Sequence, residues 1–186
     1  YLKAHKLFIV ICVLLFKNVY YAQNIIQNSS FELYTNPLNC YGGFDNYNAT
    51  PVYHVVDNWY TLNSSDYFNE TCASSTFFSP QQNLFGKQSA KIGIAYPGFI
   101  LFAANYETKE YIYQQLSSPL QAGRIYCLSF YVSRADRVTH AIHSIGAHFS
   151  NSIQSAAALG YVNVIPQVVN QNGFITDTIS WTQIQS

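Results

Sequence analysis

The chain has 186 residues, nine basic and nine acidic side chains, 16 Tyr and 13 Phe, and charged residues make up only 10% of it. It carries no Lys/Arg cluster that could displace counterions from a phosphate backbone, so a nucleic-acid partner is excluded. With so few charges, solubility has to rest on Asn, Ser, Thr and Tyr, which suits an extracellular β protein better than a cytosolic enzyme.

In chain order, Lys3, His5 and Lys6 precede an apolar run from Leu7 to Phe16, and Lys17 to Ala22 then leads into Gln23-Asn24. That is the layout of a secretory signal peptide, residues 1–22, whose apolar run is too short to span a bilayer. Cleavage is expected after Ala22, with Tyr20 a large residue for its position. Lys3, Lys6 and Lys17 leave with the leader, so six basic residues face nine acidic ones and residues 23–186 carry a net −3. That stretch has the length of one domain and can bury a real core. It is expected to be secreted or to sit on the cell surface without spanning the membrane. No Met opens the sequence, so the chain is expected to be incomplete at its N-terminus.

The segment that opens at Ile25 reads as a short first strand of the mature chain ending in Phe31-Glu32, with Phe31 facing the core. From there the hydrophobic period is two. Arg124 to Ser133 sets Tyr126, Leu128, Phe130 and Val132 on one face against Ile125, Cys127, Ser129 and Tyr131 on the other, and two apolar faces predict a central strand. Similar runs occur at Val52–Leu62, Ser89–Tyr96, Phe99–Ala103, Glu110–Leu116, Ile142–Ser150, Tyr161–Ile165 and Ile179–Ile184. Tyr41-Gly42-Gly43, Tyr96-Pro97-Gly98 and Asn170-Gln171-Asn172-Gly173 punctuate them. A short helix is expected only at Ile153–Leu159. About eight short strands in one domain predict an all-β, antiparallel sandwich or jelly roll.

Of the cysteines, Cys12 lies in the leader. Cys40 and Cys72 occupy polar, turn-rich stretches, whereas Cys127 lies in an apolar run. The expectation is a Cys40–Cys72 disulfide, contributing about 3–4 kcal/mol in the chain-entropy model, and a buried free thiol at Cys127. No CxxC or CxxH spacing offers a zinc site.

Motif by motif, the chemistry is sparse. Asn28-Ser29-Ser30, Asn48-Ala49-Thr50, Asn63-Ser64-Ser65 and Asn69-Glu70-Thr71 are glycosylation triplets of the kind an Asn-, Ser- and Thr-rich chain makes by chance. His140, His143 and His148 cannot converge on one ion, because His143 and His148 point to opposite faces of one strand. There is no nucleophile elbow, HExxH or P-loop, and Asp57, Asp66, Asp136 and Asp177 sit at turns or strand ends. No catalytic residue is assigned. A glycosidase pair of carboxylates remains the enzymatic alternative.

The order of segments carries a resemblance. It runs from N-x-S-F-E (Asn28, Ser30, Phe31, Glu32) through a Cys, Asp57-Asn58-Trp59, and D-Y-F-N-x-x-C (Asp66 to Cys72). K-E-Y-I (Lys109 to Ile112), S-P-L-x-A-G-x-x-Y-C-x-S-F-Y-V-S (Ser118 to Ser133), A-I-x-x-I-G-A-x-F-S (Ala141 to Ser150) and D-T-x-x-W (Asp177, Thr178, Trp181) follow. Together these resemble the N-terminal domain of secreted Bacteroidetes proteins of the OmpA family and of gliding-motility-associated proteins with type IX secretion sorting domains, over nearly all of residues 23–186. The resemblance implies a galactose-binding-like jelly roll on a larger envelope protein, with closing strands after Ser186. It also implies a structural calcium held in part by Glu32, whose carboxylate suits that hard cation, with its acidic partner on a strand beyond Ser186.

Aromatic residues crowd the first third, interleaved with Asn, Asp and Thr. Tyr41, Tyr47, Tyr53, Tyr60 and Tyr67 are the candidates to stack on sugar faces, while Trp59 is expected to pack inward. The expected function is a secreted, non-catalytic module binding carbohydrate or another cell-surface ligand. A structural spacer positioning a downstream domain is the rival reading.

Overall fold

The computed structural model describes residues 23–34, 44–46, 53–72, 77–102, 109–154 and 161–186. Among them the repeating elements are strands, and the one helical piece is a single 3₁₀ turn at Glu70–Cys72. The chain is all-β. The strands are β1 (Asp45–Asn46), β2 (Tyr53–His54), β3 (Tyr60–Leu62), β4 (Asp66–Asn69), β5 (Phe78–Ser79), β6 (Gln82–Asn83), β7 (Ala95–Gly98), β8 (Tyr111–Tyr113), β9 (Ser129–Val132), β10 (Gly146–Ala147), β11 (Val168–Val169) and β12 (Thr182–Gln185). They form antiparallel two-stranded ribbons: β1 with β2, β3 with β8, β4 with β7, β5 with β6, β9 with β12, and β10 with β11.

Aromatic and β-branched residues suit a pleated surface, and the pairing of β3 with β8 uses this. Tyr60 lies opposite Tyr113, Thr61 opposite Ile112 and Leu62 opposite Tyr111. The Tyr60 and Tyr113 rings stack with centroids 5.5 Å apart and planes 27° from parallel. In β7 the sequence Tyr96-Pro97-Gly98 was expected to break a strand, yet Pro97 pairs within the ladder opposite Tyr67. The position is tolerable because β7 has one neighbouring strand among the described residues, and a proline fits a ladder's edge.

A hydrophobic cluster lies in the first half of the described chain, with Val168, Ile175 and Ile184 buried in the second. Phe44 is fully buried, and Val55, Val56, Tyr67 and Ala95 close around it, with Phe31, Tyr34, Trp59 and Ile112 packed outside. Phe31 meets Phe44 edge-on at 6.4 Å and lies 4.9 Å from the Trp59 ring. Burying such aromatic and aliphatic side chains contributes about 1.5–3 kcal/mol each. Trp59 thus packs inward, and its indole N–H donates to the Asn28 carbonyl at 2.9 Å.

Several expectations need correction. Asn28 to Glu32 is a turn rather than a strand: the Phe31 N–H donates to Asn28 O at 3.0 Å, with φ +45° at Asn28 and +64° at Phe31. An asparagine tolerates that left-handed backbone, because its side chain satisfies the turn locally. The inward Phe31 is as expected, but it arrives there from a turn.

Arg124 to Ser133 is not a central strand. Among the described residues Ser129–Val132 pairs with β12 on one side, and Leu128 extends that ladder by exchanging backbone bonds with Ser186. The face of Leu128, Phe130 and Val132 turns inward and the opposite face is open, with Ile125 96% exposed. Cys127 shares that open face and is exposed rather than buried, though free as expected. Tyr161–Ile165 is irregular, and pairing falls instead on Val168–Val169 against β10. Apolar runs in this half were misleading because no second sheet covers their outer faces among the described residues. The expected helix at Ile153–Leu159 lies largely outside those residues, and Ile153 and Gln154 are irregular.

Candidate functional site

One cleft gathers side chains from three distant stretches. It begins where the N-terminal segment lies along the chain leaving β8. The Ser117 N–H donates to Ile25 O at 3.0 Å, and the Ser117 hydroxyl donates to the same oxygen at 3.2 Å. Gln27 and Gln114 exchange bonds: the Gln27 N–H donates to Gln114 Oε1 at 2.9 Å and Gln114 Nε2 donates to Gln27 O at 3.1 Å. Gln27 Nε2 also reaches the Gln115 carbonyl at 3.4 Å.

Asn28 then ties this seam to the start of β3. Its Nδ2 donates to Leu33 O at 2.8 Å and to Asp57 O at 2.9 Å, while its Oδ1 accepts the Leu33 N–H at 2.9 Å. Asn58 follows in left-handed backbone at φ +67°, and Tyr60 opens β3. The result is an open cleft of about 350 Å³ lined by Gln27, Asn58, Tyr60, Gln115, Leu116 and Ser117. Among the described residues every lining side chain is uncharged. Tyr113, stacked against Tyr60, fixes the ring at the edge of the cleft.

Of the tyrosines proposed from the sequence, Tyr60 lies in this cleft. Tyr67 does not, and as a ligand-stacking residue it is corrected: it is 3% exposed, its ring packs on Phe44, and its hydroxyl donates to Phe31 O at 2.7 Å while accepting from Asn69 Nδ2. Burial pushes that hydroxyl's pKa up. Tyr41 and Tyr47 lie outside the described residues, as does the Tyr53 side chain, although the Tyr53 backbone pairs in β2. Sequence reading missed Gln27, Asn58, Gln115 and Ser117. The visible signal was the Gln114-Gln115 pair at the end of an aromatic strand.

Glu32 serves as a clamp. Its Oε1 accepts the N–H groups of Ile94 at 3.0 Å and Ala95 at 3.1 Å, pinning the approach to β7 against the N-terminal turn. Among the described residues no three His, Cys, Asp or Glu side chains gather as a metal site. The histidines stand apart: the His140 ring lies 5.1 Å from Phe102, the His143 ring lies 5.5 Å from Phe174, and His148 Nδ1 sits 3.1 Å from the Ile165 carbonyl.

Cys72 is disulfide-bonded. Cys40, its expected partner, lies outside the described residues. The glycosylation triplets lose two open amides, since Asn28 Nδ2 donates to two carbonyls and the buried Asn69 Nδ2 donates to Tyr67. Asn63 Nδ2 donates to Lys109 O, and Asn48 is outside the described residues.

A carboxylate pair stands away from the cleft. Glu110 is 4% exposed, with Oε1 accepting from the Ser64 hydroxyl at 2.8 Å and Oε2 from the Ile100 N–H at 2.6 Å. Burial, with a smaller push from Glu110, raises the Asp66 carboxyl to about 6. No helix among the described residues is long and apolar enough to cross a membrane. Comparisons with protein-family models, with curated proteins and with solved structures found no significant match.

Proposed function

We propose that the chain is a secreted or cell-surface, non-catalytic binding module that takes carbohydrate in the cleft beside Tyr60. The observation that carries this reading is an aromatic ring, braced by Tyr113, beside an open cleft whose other polar lining residues, among those described, are Gln27, Asn58, Gln115 and Ser117. A planar ring covers the C–H face of a sugar, and amides both donate to and accept from hydroxyls. Among the described residues the lining holds no carboxylate, imidazole or thiol, the groups that general acid–base and nucleophilic chemistry draw on, which favours the binding reading.

The all-β architecture is compatible with the galactose-binding-like jelly roll that the motif resemblance implies, within an envelope or adhesion protein. The leader-like residues 1–22 support export. A structural calcium at Glu32 would have to use Oε2, because Oε1 receives two amides. A melting point that is the same in calcium and in chelator would remove it. A glycan array probed with residues 23–186 in calcium tests the main reading: binding to at least one glycan family is expected, and an empty array would leave the structural-spacer reading in its place.

A further inference from the structure

We infer that the cleft selects uncharged glycans, gripped on Tyr60 and read by the amides of Asn58 and Gln115, and rejects sulfated and uronic-acid chains. This rests on the carbohydrate reading of the same cleft and adds the ligand's charge class.

The argument is one of desolvation and pairing. A charged ligand group entering a site loses hydration that only an opposite charge or several oriented donors can replace. Among the described residues the lining, Gln27, Asn58, Tyr60, Gln115, Leu116 and Ser117, contains no Lys, Arg or His to meet an anion and no Asp or Glu to meet a cation. Residues 23–186, at −3, would oppose an anionic chain over a longer range as well.

What the lining does provide matches a neutral sugar. The Tyr60 ring is held by Tyr113 at 5.5 Å, so little rotational freedom remains to be lost on binding. Asn58 and Gln115 are exposed, and their side-chain amides make no hydrogen bond within the described chain. By contrast, Gln27 Nε2 and the Ser117 hydroxyl are spent on the seam, at Gln115 O and Ile25 O. Two unspent amides flanking a fixed ring form the recognition set; the seam residues form its wall. Tyr113 is the positioning residue, acting through Tyr60.

The test uses residues 23–186 with matched neutral and acidic glycans: β-glucan, galactan and mannan oligosaccharides against sulfated and uronic-acid oligosaccharides of equal length. Binding is read at low and at physiological salt. Neutral ligands should bind with little salt dependence, and acidic ones at least about tenfold more weakly. Gln115→Ala and Asn58→Gly should each weaken neutral binding about two- to tenfold, the worth of one or two hydrogen bonds. Glycine keeps the left-handed backbone available at Asn58, so that variant should fold. Tyr60→Ala should abolish binding, and its melting curve will reveal any loss of fold. Preferential, salt-sensitive binding of acidic glycans overturns the inference while leaving the carbohydrate reading standing. Neutral binding that ignores both amide variants also overturns it, and no binding of either class overturns both.

Discussion

Asn28 and Glu32 show how much one side chain can organise here. Asn28 turns the chain, and its amide holds Leu33 and Asp57. Glu32 holds the amides of Ile94 and Ala95. Replacing Glu32 by Ala strands two partly buried N–H groups, and a loss of about 2–3 kcal/mol in denaturant unfolding is expected. The N-x-S-F-E motif was legible as important, but its turn was not, because positive φ at Phe31 is imposed by the contacts of the folded chain. Asp66 makes a pH prediction. Its folded pKa of about 6 lies above the unfolded value of 3.8, so its favourable contribution is complete below about pH 4 and is lost as pH rises through 6. Allowing for partial exposure, wild type should lose about 2 kcal/mol relative to Asp66→Asn between pH 4 and 7, measured by chemical unfolding at each pH. An identical pH profile for the two proteins would contradict it.

At the scale of elements, the approach to β7 is a tight fit. Gly93 has φ +70°, and a Cβ there would collide with Glu32 Oε1. Gly173 has a similar φ of +78° with open space around it. Gly173→Ala should therefore cost about 1 kcal/mol for backbone strain alone. Gly93→Ala should cost at least about twice that by thermal melting, since it also dislodges the clamp; equal losses would count against the clamp. Strand positions were readable where both partners were aromatic or β-branched, as in Tyr60-Thr61-Leu62 with Tyr111-Ile112-Tyr113. They were misread at Ile125 and Ile165, where apolar side chains stand exposed and the sequence alone does not say which faces another sheet covers. Pro97 was legible as punctuation but not as a member of a ladder.

For the whole molecule, the charge balance and the period-two pattern were enough to reach an all-β chain, and Tyr60 was within reach as a surface aromatic. The cleft itself was not, because Gln27 and Gln115 are 88 residues apart and meet where the Gln27 side-chain amide donates to the Gln115 carbonyl, without any local motif. Reducing the Cys72 disulfide should lower stability by about 2–4 kcal/mol, seen as a shifted melting point with dithiothreitol, whereas Cys127→Ser should leave it within about 0.5 kcal/mol because that thiol is exposed and free. The most direct test of the central claim is amide chemical-shift mapping by NMR as a neutral oligosaccharide that binds is titrated in. The largest changes should fall on Gln27, Asn58, Tyr60, Gln115 and Ser117, including the Asn58 and Gln115 side-chain amides. Changes confined to another surface, such as that around Tyr131 and Trp181, would contradict it.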